Sequence, residues 1–147
     1  MAGAGDEKSF MISKVFIDTN ILIYCMDKSE PERMAKCRTL LKSLKSIQGV
    51  ISTQVMQEFF VAATRKLKAD PLIVKDILRS FRKFEVVIIT PEMIMDAIDC
   101  CIINRISFWD SLIVVAPESA NCKKLWTEDL NHGQIIRGVQ IENPLII

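Results

Sequence analysis

Val15-Phe16-Ile17-Asp18-Thr19-Asn20-Ile21-Leu22-Ile23-Tyr24 is the stretch on which the fold turns. Three consecutive apolar residues with strand-forming side chains stop at Asp-Thr-Asn, whose short polar side chains favour turns and helix caps, and a second apolar run with helical spacing follows to Met26. A short strand apolar on both sides and feeding directly into a helix is the opening unit of an α/β domain. Asp18 then lies at the carboxyl edge of the first strand, the side on which open α/β sheets bind ligands. It can serve as an N-cap, worth about 1 kcal/mol, or as a ligand-binding acid. Three cap-competent residues stand where one suffices, so Thr19 and Asn20 are expected to cap and leave Asp18 free.

The units that follow repeat the alternation. Pro31 opens a helix in which Met34, Cys37, Leu40, Leu41 and Leu44 oppose Lys36, Arg38, Lys42 and Lys45. Gly49-Val50-Ile51 is a second strand, and Ser52 or Thr53 caps a helix to about Leu67 or Lys68. Pro71 begins another helix, Glu85 to Ile89 is a β-branched third strand, and Thr90-Pro91-Glu92 announces a helix through Asn104. Ser107 opens the next, which is expected to end or kink near Pro117, because proline lacks the backbone donor and crowds the preceding turn. Lys124 to Thr127 forms a fourth strand, Asn131-His132-Gly133 a turn, and Val139 with Ile141 a final strand. Strands separated by helices predict a single three-layer α/β/α sandwich around a mostly parallel sheet of four to five strands. Residues 1–13 are expected to form a flexible N-terminal segment and 14–147 the domain.

Three further acids stand in apolar company. Glu58 sits at helical spacing among Val55, Phe59 and Ala62, where an exposed-face glutamate is out of place unless a base such as Arg65 reaches it. Asp110 in Ser-Phe-Trp-Asp-Ser-Leu-Ile-Val can close a capping box with Ser107 or belong to a site, and the sequence leaves both open. Asp129 follows Leu-Trp-Thr-Glu at a strand end, as Asp18 does, and is favoured over its neighbour Glu128. Carboxylates that lose hydration without a compensating cation or donor destabilise a fold, so four of them point to a divalent metal site. The donors are hard oxygens, which suit Mg²⁺ or Mn²⁺ over zinc. The lone histidine, His132, reads as a turn residue, and Asp96 and Asp99 as solvent-facing.

Composition sets outer bounds. The chain has 147 residues, a net charge of +1 and 50% hydrophobic residues, which suits one globular domain and argues against a broadly basic nucleic-acid coat. Five cysteines without paired spacing read as reduced, and no apolar run reaches the roughly 20 residues needed to span a bilayer. The expectation is a cytoplasmic protein that does not enter a membrane.

Four motifs, Phe-Ile-Asp18-Thr-Asn-Ile-Leu-Ile-Tyr, Gln-Glu58-Phe, Ser-Phe-Trp-Asp110-Ser-Leu-Ile-Val and Leu-Trp-Thr-Glu-Asp129-Leu-Asn-His-Gly-Gln, occur in an order that resembles the PIN domain, the nuclease fold of VapC-type toxins. The likeness runs from Val15 to about Ile141. It implies that Asp18, Glu58, Asp110 and Asp129 are the catalytic and metal-binding residues, supported by Thr19, Asn20 and Thr127. It further implies Mg²⁺- or Mn²⁺-dependent hydrolysis of RNA phosphodiester bonds, a small cognate antitoxin and a homodimer. Val-Val-Ala-Pro117-Glu-Ser-Ala departs from the small residues with which relatives continue the Asp110 helix. The alternatives are a PIN-fold RNA-processing nuclease without an antitoxin, or an inactive RNA- or protein-binding module.

Overall fold

A computed structural model describes residues 13–146. Chain order is β1 (Ser13–Ile17), α1 (Thr19–Tyr24), α2 (Pro31–Lys42), β2 (Ile47–Ser52), α3 (Thr53–Arg65), α4 (Pro71–Ser80), a 3₁₀ turn (Phe81–Lys83), β3 (Glu85–Val87), α5 (Pro91–Asn104), α6 (Phe108–Ser119), β4 (Lys124–Trp126), β5 (Ile135–Ile136) and β6 (Val139–Glu142). The expected flexible segment lies outside the described residues except for Ser13, which is the first residue of β1.

The strands make one sheet in the order β3-β2-β1-β4-β6-β5. Every pairing is parallel except β5 with β6. The sheet thus has six strands rather than four to five. The additional one, β5, is a two-residue edge strand turned back onto β6 through Arg137 and Gly138, both at positive φ. Such a pair matches the twist of a hairpin, and Gly138 adopts its φ of 79° without steric cost.

From β1 the chain moves outward through β2 to β3, then returns across the sheet to β4. Right-handed crossovers therefore put α1–α4 on one face and α5–α6 on the other, which gives the three-layer α/β/α sandwich. The reversal of direction opens a crevice between the carboxyl ends of β1 and β4. Both strands are buried there: Phe16, Ile17 and Leu125 have no exposed surface, and Ile21, Val55, Phe59 and Val114 cover them from the helices. At the other end of the sheet Gly49 in β2 lies so near Phe84 that an added Cβ would stand 2.8 Å from its ring.

α6 does not stop at Pro117. It continues through Ser119, and the chain leaves it by bonds from Cys122 N to Pro117 O at 2.8 Å and Ala120 N to Ala116 O at 3.2 Å, with Asn121 in the left-handed conformation. Residues Ser111 to Pro117 are all buried, and that packing holds the helix through the missing proline donor. The departure noted in the sequence thus leaves the helix its length. Among the described residues no helix is long and apolar enough to cross a membrane.

Candidate active site

The crevice between β1 and β4 is a cleft of about 520 Å³ lined by Asp18, Thr19, Asn20, Gln57, Glu58, Val61, Ala62, Arg65, Lys66 and Asp129. Three of the four expected acids line it. Asp110, in the first turn of α6, stands beside the cleft without lining it, but its charge reaches both Glu58 and Asp129.

Asp18 is placed by both strands. Its backbone N–H donates to Trp126 O at 3.0 Å, extending the β1–β4 ladder by one bond. Its side chain accepts from Thr19 N at 2.7 Å and from Thr127 Oγ1 at 2.7 Å. Asp18 is therefore itself the N-cap of α1, contrary to the expectation that Thr19 and Asn20 would take that role. Capping and ligand binding are not exclusive, since a carboxylate has about four lone-pair sites and these two bonds use half of them.

Thr19 and Asn20 serve the other acids instead. Thr19 Oγ1 donates to Glu58 Oε1 at 3.3 Å, and Asn20 Nδ2 donates to Glu128 Oε1 at 3.4 Å. Glu128 also accepts from the phenol of Tyr24, whose ring lies 4.2 Å from the Arg33 guanidinium. Burial and the bond to Glu128 push the Tyr24 phenol up to about 12. These contacts turn Glu128 toward α1 while Asp129 lines the cleft. Thr127 links the two strand-end acids: its hydroxyl donates to Asp18 and accepts from Asp129 N at 3.1 Å.

Glu58 sits between the buried face of α3, formed by Val55, Phe59 and Ala63, and the solvent. No ion pair to Arg65 occurs among the described residues. Ser107 Oγ accepts from Asp110 N at 3.0 Å, so half of a capping box forms, but no bond returns from the Asp110 carboxylate to Ser107 N among the described residues. His132 Nδ1 accepts from Asn143 N at 2.9 Å and is a loop fastener, as expected. Asp96 lies 3.9 Å from Arg137 and Asp99 faces solvent.

The electrostatics follow from burial and crowding. Asp18, 5% exposed, is pushed from 3.8 to about 7, first by burial and then by the charges of Asp129 and Glu58, against the two hydrogen bonds that favour its ionised form. Asp129 is raised by loss of hydration and then by the charge of Asp110, with the neighbouring Asp18 acting against both. Glu58 is raised by loss of hydration, then by Asp110 and Asp129, against the Thr19 bond. Glu58 and Asp129 remain exposed as whole residues, and water along the cleft limits both effects.

An acid cleft that holds a proton near neutral pH is one that a cation would fill, and the all-oxygen donor set fits a hard divalent ion. Among the described residues no three His, Cys, Asp or Glu side chains converge on one point at ligand distance. Asp18 is held by two bonds and Glu58 by one from Thr19, whereas both Glu58 and Asp129 are exposed. Two site features carry no distinct signal in the sequence. The basic rim, Arg65 and Lys66, has the composition of any solvated helix end, and the Tyr24–Glu128 bond joins residues 104 positions apart.

No curated protein matches the sequence significantly. Among solved structures, a toxin-antitoxin complex from Klebsiella pneumoniae has a TM-score of 0.68 at 17% identity, covering 88% of this chain and 97% of that one. VapC20 from Mycobacterium tuberculosis, described as a sarcin-ricin loop cleaving toxin, has a TM-score of 0.66 at 15% identity over 78% of this chain and 89% of its own. DNA-bound VapBC from Salmonella typhimurium has a TM-score of 0.64 at 20% identity over 88% and 97%. At these identities the likeness is one of fold. The sequence itself matches the PIN domain over residues 15–137, and the chain belongs to that family.

Proposed function

We propose that the chain is a Mg²⁺- or Mn²⁺-dependent endoribonuclease and the toxin of a type II toxin-antitoxin pair. The observation that carries the reading is Asp18: an acid held by two hydrogen bonds at the switch point of the sheet, yet pushed to about 7 in a cleft that Glu58 and Asp129 also line. Family membership supports nuclease chemistry, and the toxin complexes of the same fold support an antitoxin partner.

In this reading Asp18, Asp110, Asp129 and Glu58 hold the ion. A divalent ion held by these carboxylates would offset charge on the phosphodiester and lower the pKa of water, so that hydroxide is available as the nucleophile. The chain's own contribution is preorganisation. Thr127 ties Asp18 to the backbone of Asp129, and Thr19 ties Glu58 to the same helix start that Asp18 caps, so three acids are referenced to one another through two hydroxyl groups. Glu58, on the opposite wall from β4, completes the set of ligands or orients the water. A row of exposed apolar residues on α5, Ile94, Met95, Ile98, Ile102 and Ile103, supports a second copy of the chain as a partner.

The test is cleavage of a mixed RNA pool with Mg²⁺ or Mn²⁺, with EDTA and Asp18→Asn as controls. Metal-dependent cutting that leaves 5′-phosphate ends and is lost in Asp18→Asn supports the reading. Cyclic phosphate ends, or cutting that survives in EDTA, would overturn it, since attack by water does not need the 2′-hydroxyl.

A further inference from the structure

The cleft has two chemically opposite ends. On α3, Glu58, Val61, Ala62 and Arg65 stand at i, i+3, i+4 and i+7, so they form one stripe along a single helix face, and all four line the cleft. The Cα positions of Glu58 and Arg65 are separated by about 10.5 Å along the axis. Lys66 follows Arg65 into the same lining. An acidic end, a small apolar floor and a basic end therefore succeed one another.

Arg65 and Lys66 are both exposed, and neither enters an ion pair among the described residues, although acids line the same cleft. Some surface cations are partnered, as Arg33 is with Glu30 and Arg137 with Glu118, and others such as Lys75 are not among the described residues; what sets Arg65 and Lys66 apart is that they line the cleft that also holds the acids. The Lys66 charge is felt by Asp129 across the cleft, which keeps it inside the field of the site. A favourable interaction with the carboxyl end of a helix accounts for two bases in the last turn, but not for their facing a cleft whose far end is acidic.

Resting on the nuclease reading above, we infer that Arg65 and Lys66 form a phosphate subsite that holds the RNA strand beside the scissile bond, so that the strand runs along α3 from the acids to the bases. The acids need an ion between them and a phosphate, whereas a guanidinium and an ammonium engage the neighbouring phosphate directly. Val61 and Ala62 give the intervening sugar or base an apolar floor. At about 520 Å³ the cleft is the size of a small-ligand pocket (about 300–1,000 Å³), and it admits nucleotides of an unpaired strand rather than a duplex.

The experiment is fluorescence anisotropy of labelled polyuridine RNA across a KCl series, with Ca²⁺ replacing Mg²⁺, alongside the salt dependence of kcat/KM on the RNA pool. On a single strand, each phosphate that the protein neutralises steepens the slope of log affinity against log salt by about 0.7. Arg65→Ala/Lys66→Ala is expected to flatten the slope by about 0.7, raise KM and leave kcat nearly unchanged. Arg65→Lys should restore most of the slope, and Lys75→Ala, an exposed base outside the cleft, should not change it. A double variant that cuts and binds RNA with the wild-type slope overturns the subsite and leaves the nuclease standing. Wild-type protein that neither binds nor cuts RNA overturns both.

Discussion

Replacing Asp18 with asparagine should make the metal-free protein more stable at alkaline pH while removing its capacity for catalysis. Burial and neighbouring charge raise the Asp18 carboxyl from 3.8 to about 7. Between those values the native protein holds a proton that the unfolded chain has released, so stability falls as pH rises, by about 1.36 kcal/mol for each unit. Across the window the loss is roughly 4 kcal/mol; it is absent below about pH 4 and complete above about pH 7. Asparagine does not ionise and escapes it. Its oxygen can still accept from Thr19 N, but its amide must now donate to Thr127, whose hydroxyl has to turn, at a cost of about 1 kcal/mol. The net gain is about 3 kcal/mol near pH 8, or roughly 6–12 °C in Tm for a chain of this size. Near pH 4 the variant should be slightly weaker than wild type. Urea unfolding of both proteins in EDTA at several pH values measures this directly. Glu58 and Asp129 are present in both, so the difference between the two curves reports Asp18 together with its coupling to those two acids. An asparagine variant no more stable than wild type near pH 8, or a gap that does not narrow as pH falls, would refute the argument.

Three other outcomes follow from the same geometry. Millimolar Mg²⁺ or Mn²⁺ should stabilise wild type but not Asp18→Asn, by about 2.7 kcal/mol at a hundred times Kd, and less at pH values below about 6, where protons compete for Asp18; equal Tm shifts in both proteins in a thermal melt would count against Asp18 as a ligand. Thr127→Val leaves the buried Asp18 Oδ2 without its donor and should cost about 1–3 kcal/mol near pH 8, with the pH at half-maximal cleavage moved upward; unchanged stability would mean that water replaces the hydroxyl. Gly49→Ala, far from the cleft, pushes a Cβ to 2.8 Å from Phe84 and 3.2 Å from Leu44, and should cost about 1–3 kcal/mol without altering kcat, as denaturation and cleavage assays can establish together.

The parts of the site legible in the sequence are those written in local pattern. Asp18 and Asp129 each end an apolar strand, and strand ends face the crevice of an α/β sheet, so their type and position suffice. Glu58 is visible as an acid among apolar neighbours, but periodicity cannot tell a buried face from the edge beside it, and the structure puts it at that edge. The identity of the cap is not legible, because Asp, Thr and Asn cap about equally well; the choice depends on Thr127 reaching Asp18 from another strand. Pro117 carries a local penalty that the sequence displays, whereas burial from Ser111 onward decides the course of α6. The edge strand β5 is invisible to pattern because two residues carry no period.

The order of the sheet also governs when the cleft can exist. β1 emerges first from a ribosome, yet its two neighbours are β2 and β4, and the bond between Thr127 and Asp18 spans 109 positions. Non-local closure of this kind comes late in folding. A nascent chain that reaches Glu58 but stops short of residue 127 carries Asp18 and Glu58 but neither the hydroxyl that orients the first nor the acid opposite. Synthesis therefore has to pass residue 129 before the cleft can assemble, and products terminated short of it should be inert.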